Sequence, residues 1–175
     1  ASFEGHSDVV PLLLTAGADA NAVGTHGGST ALIMASQEGH SDVVPLLLAA
    51  GANANAARTD EGCCTALMWA SVNGHSDVVP LLLAAGANVD AARADDGRTA
   101  LMAASHMGHS AVVPLLLAAG ADANAADING CTVLLVALAS GSLACVQALF
   151  KGGADVDYKH VRKALSHPTY RTNSD

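Results

Sequence analysis

The chain contains eight histidines, the side chains best able to bind a metal or carry a proton near neutral pH. Two histidines can share a metal only if both approach it to about 2 Å. Four of them each follow a glycine at spacings of 34, 35 and 34 residues, namely His6, His40, His75 and His109. Copies of one stacked unit stand about 10 Å apart, so the pattern favours turn histidines over a shared metal site. His106 and His109 are separated by the turn glycine Gly108, which makes them a weak ligand pair.

The four cysteines are the other reactive set. Cys63 and Cys64 are adjacent, Cys131 lies two units further on, and Cys145 occupies a position that is valine in other copies. Because stacked units are about 10 Å apart, Cys64 and Cys131 are beyond disulfide reach. We expect free thiols in a reducing compartment. Small side chains in a loop explain Cys63 and Cys64, and a reactive or metal-binding thiol pair is the alternative.

No motif of nucleophilic, phosphate-binding or metallohydrolase chemistry occurs: there is no G-x-S-x-G, Walker loop, H-E-x-x-H or C-x-x-C. Repeat arrays also present a groove rather than an enclosed pocket. The sequence therefore predicts that the chain is not an enzyme and has no catalytic residue, cofactor or metal.

These residues sit in a repeated unit. Gly-His-Ser-Asp-Val-Val-Pro-Leu-Leu-Leu occurs at 5–14, 39–48 and 74–83, and again at 108–117 with Ala111 in place of Asp. A period in the low thirties indicates a solenoid of stacked units. In each unit, a Thr-Ala-Leu segment such as 30–38 predicts a first helix that ends at Gly39, and 41–50 predicts a second. Pro45 predicts that the second helix starts late or is distorted in its first turn.

Charge and composition limit the partners. Residues 1–150 hold 13 acidic residues against Arg58, Arg93 and Arg98, whereas 151–175 are net basic. An acidic body repels phosphate backbones, so nucleic acid is excluded as a partner. No apolar run reaches the roughly 18 residues of a membrane span, so no membrane insertion is expected. We predict a soluble, cytoplasmic protein, with the nucleus as the alternative compartment.

The repeated residues resemble the ankyrin repeat. Gly97-Arg98-Thr99-Ala100-Leu101, Gly108-His109 and Gly120-Ala121-Asp122-Ala123-Asn124 match that family's pattern. The resemblance implies an all-α repeat, an ankyrin-repeat solenoid of helix-turn-helix units with hairpin-like finger loops. Two departures stand out: alanine replaces the family's proline at 31, 66 and 100, and apolar residues replace its first-helix histidine at 33, 68, 102 and 135.

The pattern divides the chain as follows. We expect an ankyrin-repeat array over 1–157, made of a partial repeat at 1–21 and repeats at about 22–55, 56–90, 91–124 and 125–157. Residues 1–6 align with 35–40, so the chain is expected to begin in the closing turn of a first helix. A capping helix is predicted over 158–166, followed by a frayed tail over 167–175.

The copies disagree at the finger tips and at the ends of the first helices, and we predict that these positions form one concave binding face. The predicted protein-binding residues are His26, Asp60, Glu61, Asp95, Asp96, Arg98, Ile128 and Asn129 on the fingers, and Gln37, Glu38, Val72, Asn73, His106 and Met107 at the helix ends. Trp69 is either a packing residue or an apolar interface anchor. Four of the acidic residues would form a stripe, which predicts a protein or peptide partner with a basic, partly apolar face.

A protein-interaction module is the function predicted for this array. Two alternatives remain open at this point. The chain could be the regulatory or targeting part of a larger catalytic polypeptide or adaptor, such as a ubiquitin-ligase subunit, or a structural subunit of a large assembly.

The family resemblance also implies a modification. Ankyrin repeats are substrates of an asparaginyl hydroxylase, and Leu13 with Asp19-Ala20-Asn21 and Leu116 with Asp122-Ala123-Asn124 fit its preference. We predict hydroxylation at Asn21 and Asn124; the alternative is that asparagine simply suits the turn. Mass spectrometry of the protein from its native source tests this, and unmodified Asn21 and Asn124 would contradict it.

Overall fold

The computed structural model describes residues 1–24, 27–59 and 62–156. Its elements are short α-helices: α1 Val9–Thr15, α2 Ala31–Glu38, α3 Val43–Ala49, α4 Ala66–Val72, α5 Val78–Ala84, α6 Ala100–His106, α7 Val113–Ala118, α8 Val133–Ser140 and α9 Leu143–Lys151. The predicted all-α repeat of paired short helices is confirmed.

A threonine starts each first helix. The Thr30 hydroxyl accepts a hydrogen bond from the Ile33 amide at 3.3 Å, which satisfies one of the amides that the helix itself leaves unpaired. Equivalent caps at 3.4 Å start α4, α6 and α8, from Thr65, Thr99 and Thr132. Gly39 ends α2 in the left-handed conformation with φ 80°, as the sequence predicts, because glycine adopts positive φ without steric cost.

The second helices start late. α3 begins at Val43 after Asp42, not at Ser41, so Pro45 is its third residue. An amide at that position has no acceptor within the helix, and the missing N–H of proline therefore costs no helical hydrogen bond. Of the two outcomes that Pro45 predicts, the delayed start is the one observed.

Hairpin-like fingers join one helix pair to the next. Single antiparallel bridges close them at Val23 with Thr30, Ala57 with Thr65, Ala92 with Thr99 and Ala126 with Thr132. Neighbouring fingers are also tied together, since the Ala94 amide donates to the Gly62 carbonyl at 3.0 Å and the Ile128 amide to the Asp96 carbonyl at 3.0 Å. The fingers thus form a continuous edge of the stack.

The helices stack in two rows. α2, α4, α6 and α8 pack side by side more extensively than α1, α3, α5, α7 and α9 do, so the stack bends towards the first helices. Small, fully buried serines at the seams of the first row allow this close approach: Ser36, Ser71 and Ser105. Leucines and valines from both rows fill one core, including Leu32, Leu67, Leu82, Leu101, Leu116 and Leu149.

The turn histidines His40, His75 and His109 each link their unit to the preceding one. His75 Nε2 lies 2.9 Å from the Gln37 carbonyl oxygen, and His40 and His109 make the same bond to Phe3 and Val72 at 2.8 Å. Since a carbonyl only accepts, Nε2 carries the proton in each case. His40, His75 and His109 are therefore structural, and their backbone partners were not foreseen from the sequence.

Asparagines form a second ladder. Asn21 donates from Nδ2 to the Gly51 carbonyl at 2.9 Å and accepts the Asn53 amide at 2.7 Å. Asn55 repeats both bonds, to Gly86 at 3.0 Å and from Asn88 at 2.7 Å. Asp90 stands at the next position, accepts the Asp122 amide at 3.0 Å, and has no amide to donate.

The predicted capping helix at 158–166 and the predicted frayed tail at 167–175 lie outside the described residues. The division of 1–157 into repeats stays a prediction.

We predict that Asp90→Asn raises the free energy of unfolding by about 1 kcal/mol, because the new amide can donate to the Gly120 carbonyl. Asn55→Asp should lower it by a similar amount, because it removes the bond to Gly86. Urea denaturation measures both effects.

The matched control is Asn53→Asp, in the same loop as Asn55. The Asn53 side chain uses its oxygen to accept the Asn55 amide at 2.9 Å, and aspartate keeps that acceptor. Its stability should stay near wild type. Equal losses at 53 and 55 would contradict the ladder as the source of the effect.

Candidate functional site

The predicted helix-end residues occupy equivalent positions at the last turns of α2, α4 and α6. Glu38, Asn73, His106 and Met107 are exposed, and the Met107 side chain is 54% exposed. Gln37 and Val72 are half-buried. The repeated helix and its turn thus present a different set of side chains from each unit on the same side of the stack.

Two of these positions also hold the stack together. The Gln37 carbonyl accepts from His75 Nε2 at 2.9 Å and from Asn73 Nδ2 at 3.0 Å. The Val72 carbonyl accepts from His109 Nε2 at 2.8 Å. Asn73 therefore has a structural bond that the sequence analysis missed, because a side chain that bridges two units is invisible in either unit alone.

Trp69 lies on α4 with its indole half-buried against the core. The Arg58 guanidinium lies over the ring, with its Cζ 5.6 Å from the ring centroid, within the range of a cation–π contact. The indole Nε1 is buried and has no hydrogen-bond partner among the described residues. Packing is thus one role of Trp69, and its role as an interface anchor stays a prediction. Arg58, from the neighbouring finger, is a site residue that sequence reasoning missed.

The finger at 93–98 is an ion-pair cluster. Arg93 binds Asp95 through two bonds, Nε to Oδ1 at 3.0 Å and Nη2 to Oδ2 at 2.6 Å. Arg93 Nε also lies 3.4 Å from Asp96 Oδ1, and Arg98 Nε lies 3.6 Å from Asp96 Oδ2. The two carboxylates predicted to belong to an acidic stripe are thus balanced by two guanidinium groups of the same finger. Arg93 was absent from the predicted set, although the spacing Arg-x-Asp-Asp-x-Arg was visible.

These contacts change the acid–base properties of the finger. The hydrogen bond from Arg93 holds the pKa of Asp95 below its ordinary value. The same bond raises the pKa of Arg93. Both groups therefore stay charged at neutral pH, and they form a fixed, bidentate pair.

The last described finger carries an apolar tip. Ile128 is 70% exposed, and its side chain leans against Gly97 of the preceding finger, where an added Cβ would come within 3.1 Å of Ile128 Cγ2. The Asn129 amide donates to Asp127 Oδ1 at 2.9 Å, which leaves the exposed Asn129 side chain at the tip. His26, Asp60 and Glu61 lie outside the described residues, so half of the predicted acidic stripe is untested.

The cysteines and histidines form no metal-binding group in the part of the chain that the structure describes. No group of three metal-ligating side chains occurs there. Cys63 is exposed, whereas Cys64, Cys131 and Cys145 are buried, and these four cysteines are not joined by disulfides. Cys63 has φ 59°, a conformation typical of a tight loop residue.

The two asparagines predicted to be hydroxylated, Asn21 and Asn124, are exposed. Both side chains are engaged in the ladder, Asn124 with the Gly153 carbonyl at 3.4 Å and the Asp155 amide at 2.7 Å. Their modification stays a prediction.

Comparison with known proteins gives one family. The model for ankyrin repeats in three copies matches residues 1–93 and 90–160. This match identifies no catalytic domain. No curated protein matches the chain. Across the described residues, every helix is too short or too polar to cross a membrane.

We predict that Arg93→Gln raises the pKa of Asp95 towards the ordinary value of about 3.9, because the largest stabiliser of the charged form is lost. The Asp95 pKa is lowered on folding, so its contribution to stability is present above the unfolded pKa. That contribution disappears as the pH falls through the folded value. NMR titration of the Asp95 carboxyl carbon measures the change.

Arg98→Gln is the control, because Arg98 pairs with Asp96 and not with Asp95. It should leave the Asp95 titration near wild type. Indistinguishable curves for wild type and Arg93→Gln would overturn the pairing.

Proposed function

The chain belongs to the ankyrin-repeat family, whose members generally act as protein-interaction modules, and we propose that it binds a protein or peptide through its concave face. The face consists of the finger tips and the exposed side of the first helices. The proposed partner presents a basic, partly apolar surface.

Trp69 is the observation that carries this proposal. It is the only tryptophan in the sequence, it stands on the row towards which the stack bends, and Arg58 lies over its ring. Tryptophan and arginine are the residues most enriched where interfaces derive their binding energy. The equivalent positions hold Met34, Ala103 and Val136, so the core does not require an indole there.

Rigid support favours this face as a binding surface. The turn histidines and the asparagine ladder fix each unit against the previous one, so the exposed residues of α2, α4 and α6 are held at a constant spacing. A preorganised surface loses less entropy when it binds a partner. Exposed apolar side chains, Met107 and Ile128, extend the surface from the helix ends to the fingers.

The negative charge of the array supports a basic partner, although ion pairs within one finger reduce the contribution of two of its carboxylates. Over residues 1–150 the chain is strongly acidic, and its basic residues there are Arg58, Arg93 and Arg98, all on fingers. Asp95 and Asp96 are balanced locally, so attraction of a basic partner depends on the net charge of the array as well as on the finger carboxylates. Such long-range attraction acts mainly on the association rate.

The alternatives, a regulatory or targeting part of a larger catalytic polypeptide or adaptor, and a structural subunit, have no described contact that favours them. Both alternatives concern other domains or subunits with which this chain would act, and both stay predictions.

The experiment begins with selection of binders from a library of displayed random peptides, using the reduced full chain as bait. For the enriched peptides we expect Trp69→Ala to cost about 2 kcal/mol or more of binding free energy, the usual loss at a hot spot. That corresponds to Kd rising by about 30-fold. Trp69→Phe, which keeps a ring against the core, should lose less, and circular dichroism should show both variants folded.

Charge reversal separates steering from contact. Changing Asp60, Glu61, Asp95 and Asp96 to lysine should slow association by about tenfold and remove much of its salt dependence. Changing Asp8, Asp42 and Asp77 on the second-helix side should have little effect. Equal effects from the two sets, or wild-type binding by both Trp69 variants, would contradict the concave-face proposal.

A further inference from the structure

The second helices α3, α5 and α7 are apolar on every side. α3 and α5 each read Val-Val-Pro-Leu-Leu-Leu-Ala, and α7 reads Val-Pro-Leu-Leu-Leu-Ala. A helix at a protein surface normally carries polar or charged residues on its outer face, whereas one that is hydrophobic all round is covered on all sides.

In the monomer these helices are covered on one side only. Val43, Val44 and Leu47 of α3 are buried in the core, Leu46 is half-buried, and Pro45 and Ala49 face outwards. The pattern recurs on the next two helices, with Pro80, Leu81 and Ala84 of α5 and Pro114, Leu115 and Ala118 of α7 at the same exposures. We define these nine residues, from Pro45 to Ala118, as the convex apolar face.

The face continues at both ends of the stack. Leu12 of α1 is 70% exposed. Between α7 and α9 lies a shallow groove of about 480 Å³, which the apolar residues Pro114, Leu117, Ala118, Ala144 and Ala148 line together with Gln147, Lys151 and Gly152 of the α9 side. Soluble monomers rarely expose contiguous apolar patches of more than a few hundred Å², so this surface calls for a partner.

We propose that the convex apolar face is a homodimer interface, with the same face of a second copy of this chain as its occupant. Its ridges repeat at one spacing, so the ridges of a second copy match them wherever the two convex faces meet. An unrelated protein would have to reproduce that spacing independently. The surface lies opposite the concave face, and this inference does not depend on the proposed function.

Size is compatible with a dimer. Because both faces are convex, they meet over the middle helices α3, α5 and α7, which are each about 10 Å long and about 10 Å apart and cover roughly 300 Å² in projection. Side chains and flanking loops raise the accessible area towards that of a weak, reversible interface, which buries less than about 1,200 Å² in total. Alanine and proline are short, which allows two helix layers to approach closely.

Charge selects the orientation of the two copies. Asp42 and Asp77 are exposed at the amino-terminal edge of the face, and Asp8 lies at the same edge on α1. A two-fold axis parallel to the helices would bring the two aspartate rows together. An axis along the stack makes facing helices antiparallel and places the rows at opposite edges, about one helix length of 10 Å apart, which exceeds the Debye length of about 8 Å at physiological salt. We therefore assign the axis to the stack direction.

Basic partners and membranes fit the face less well. The second helices α3, α5 and α7 carry no charge within their own bounds, so nothing in the centre of the face would bind a cation. The acidic edge would repel anionic lipids.

Sedimentation velocity of the reduced full chain tests the proposal, with reductant present because Cys63 is exposed. The mass should rise from 17.4 kDa towards twice that value as concentration increases through the micromolar range. The triple variant Pro45→Glu, Pro80→Glu and Pro114→Glu should weaken dimerisation on the order of 100-fold, because it brings carboxylates together across an apolar surface. These prolines lie in the first turns, where glutamate favours a helix, so the variant should fold.

The matched control is the triple variant His106→Glu, Met107→Glu and Leu138→Glu, which adds the same number of carboxylates at exposed first-helix sites. It should dimerise like wild type. A chain that stays monomeric at several hundred micromolar would overturn the proposal, as would a dimer that the proline variants leave intact or that both triple variants disrupt equally. The proposal would also be overturned if the wild type sediments as a monomer and this face captures vesicles or a basic peptide, because the face would then have another occupant.

Discussion

The bond from each turn histidine to the preceding unit's backbone depends on the glycine that faces it. A Cβ added at Gly39 would lie 2.5 Å from His75 Nδ1, and one added at Gly74 would lie 2.7 Å from His109 Nδ1. Those glycines also have φ of 80° and 77°, which other residues rarely adopt. Each Gly-His pair therefore acts in two contacts. Its glycine ends one helix and leaves space for the imidazole of the next unit. Its histidine donates a hydrogen bond to the backbone of the preceding unit. We call this contact, between the glycine of one unit and the histidine of the next, the interlock between units.

This interlock changes along the stack, and the packing changes with it. At the junction of the last two helix pairs Ser142 stands where histidine stands elsewhere, and its Cβ lies 3.5 Å from a Cβ added at Gly108. There α8 is apolar almost throughout, and Val133, Leu134 and Leu135 are buried. α6 and α8 form the most extensive contact between first helices. Because each unit of a solenoid is stabilised mainly by its neighbours, apolar burial at this junction offsets the missing hydrogen bond.

Local signals predicted the helices well, and contacts between units were where sequence reasoning failed. The first helix expected over 30–38 is Ala31–Glu38, because threonine caps and glycine stops act within a few residues. The second helix, expected over 41–50, is shorter at both ends, Val43–Ala49, and its late start places Pro45 where no helical hydrogen bond is lost. The partner of His75 is a carbonyl 38 residues earlier, and only the geometry of stacking identifies it. The pairing of Arg93 with Asp95 similarly depends on how the finger folds, so a count of charges alone placed Asp95 in an acidic stripe without its arginine partner.

The two faces of the stack differ in a way that the shared core does not require. Outward positions of the second helices contribute little to the core, yet Pro45, Pro80 and Pro114 are the same residue and so are Ala49, Ala84 and Ala118. The equally exposed ends of the first helices carry Glu38, Asn73 and Met107. Copying one unit explains why the convex side is uniform, and it also means that whatever covers that side contacts the same surface at each step. The concave side, by contrast, presents a different residue at each step, so a partner there contacts one particular row of side chains. A single repeated scaffold thereby supports a convex surface that is the same at each unit and a concave surface whose residues differ from unit to unit. The interlock between units sets the spacing of both.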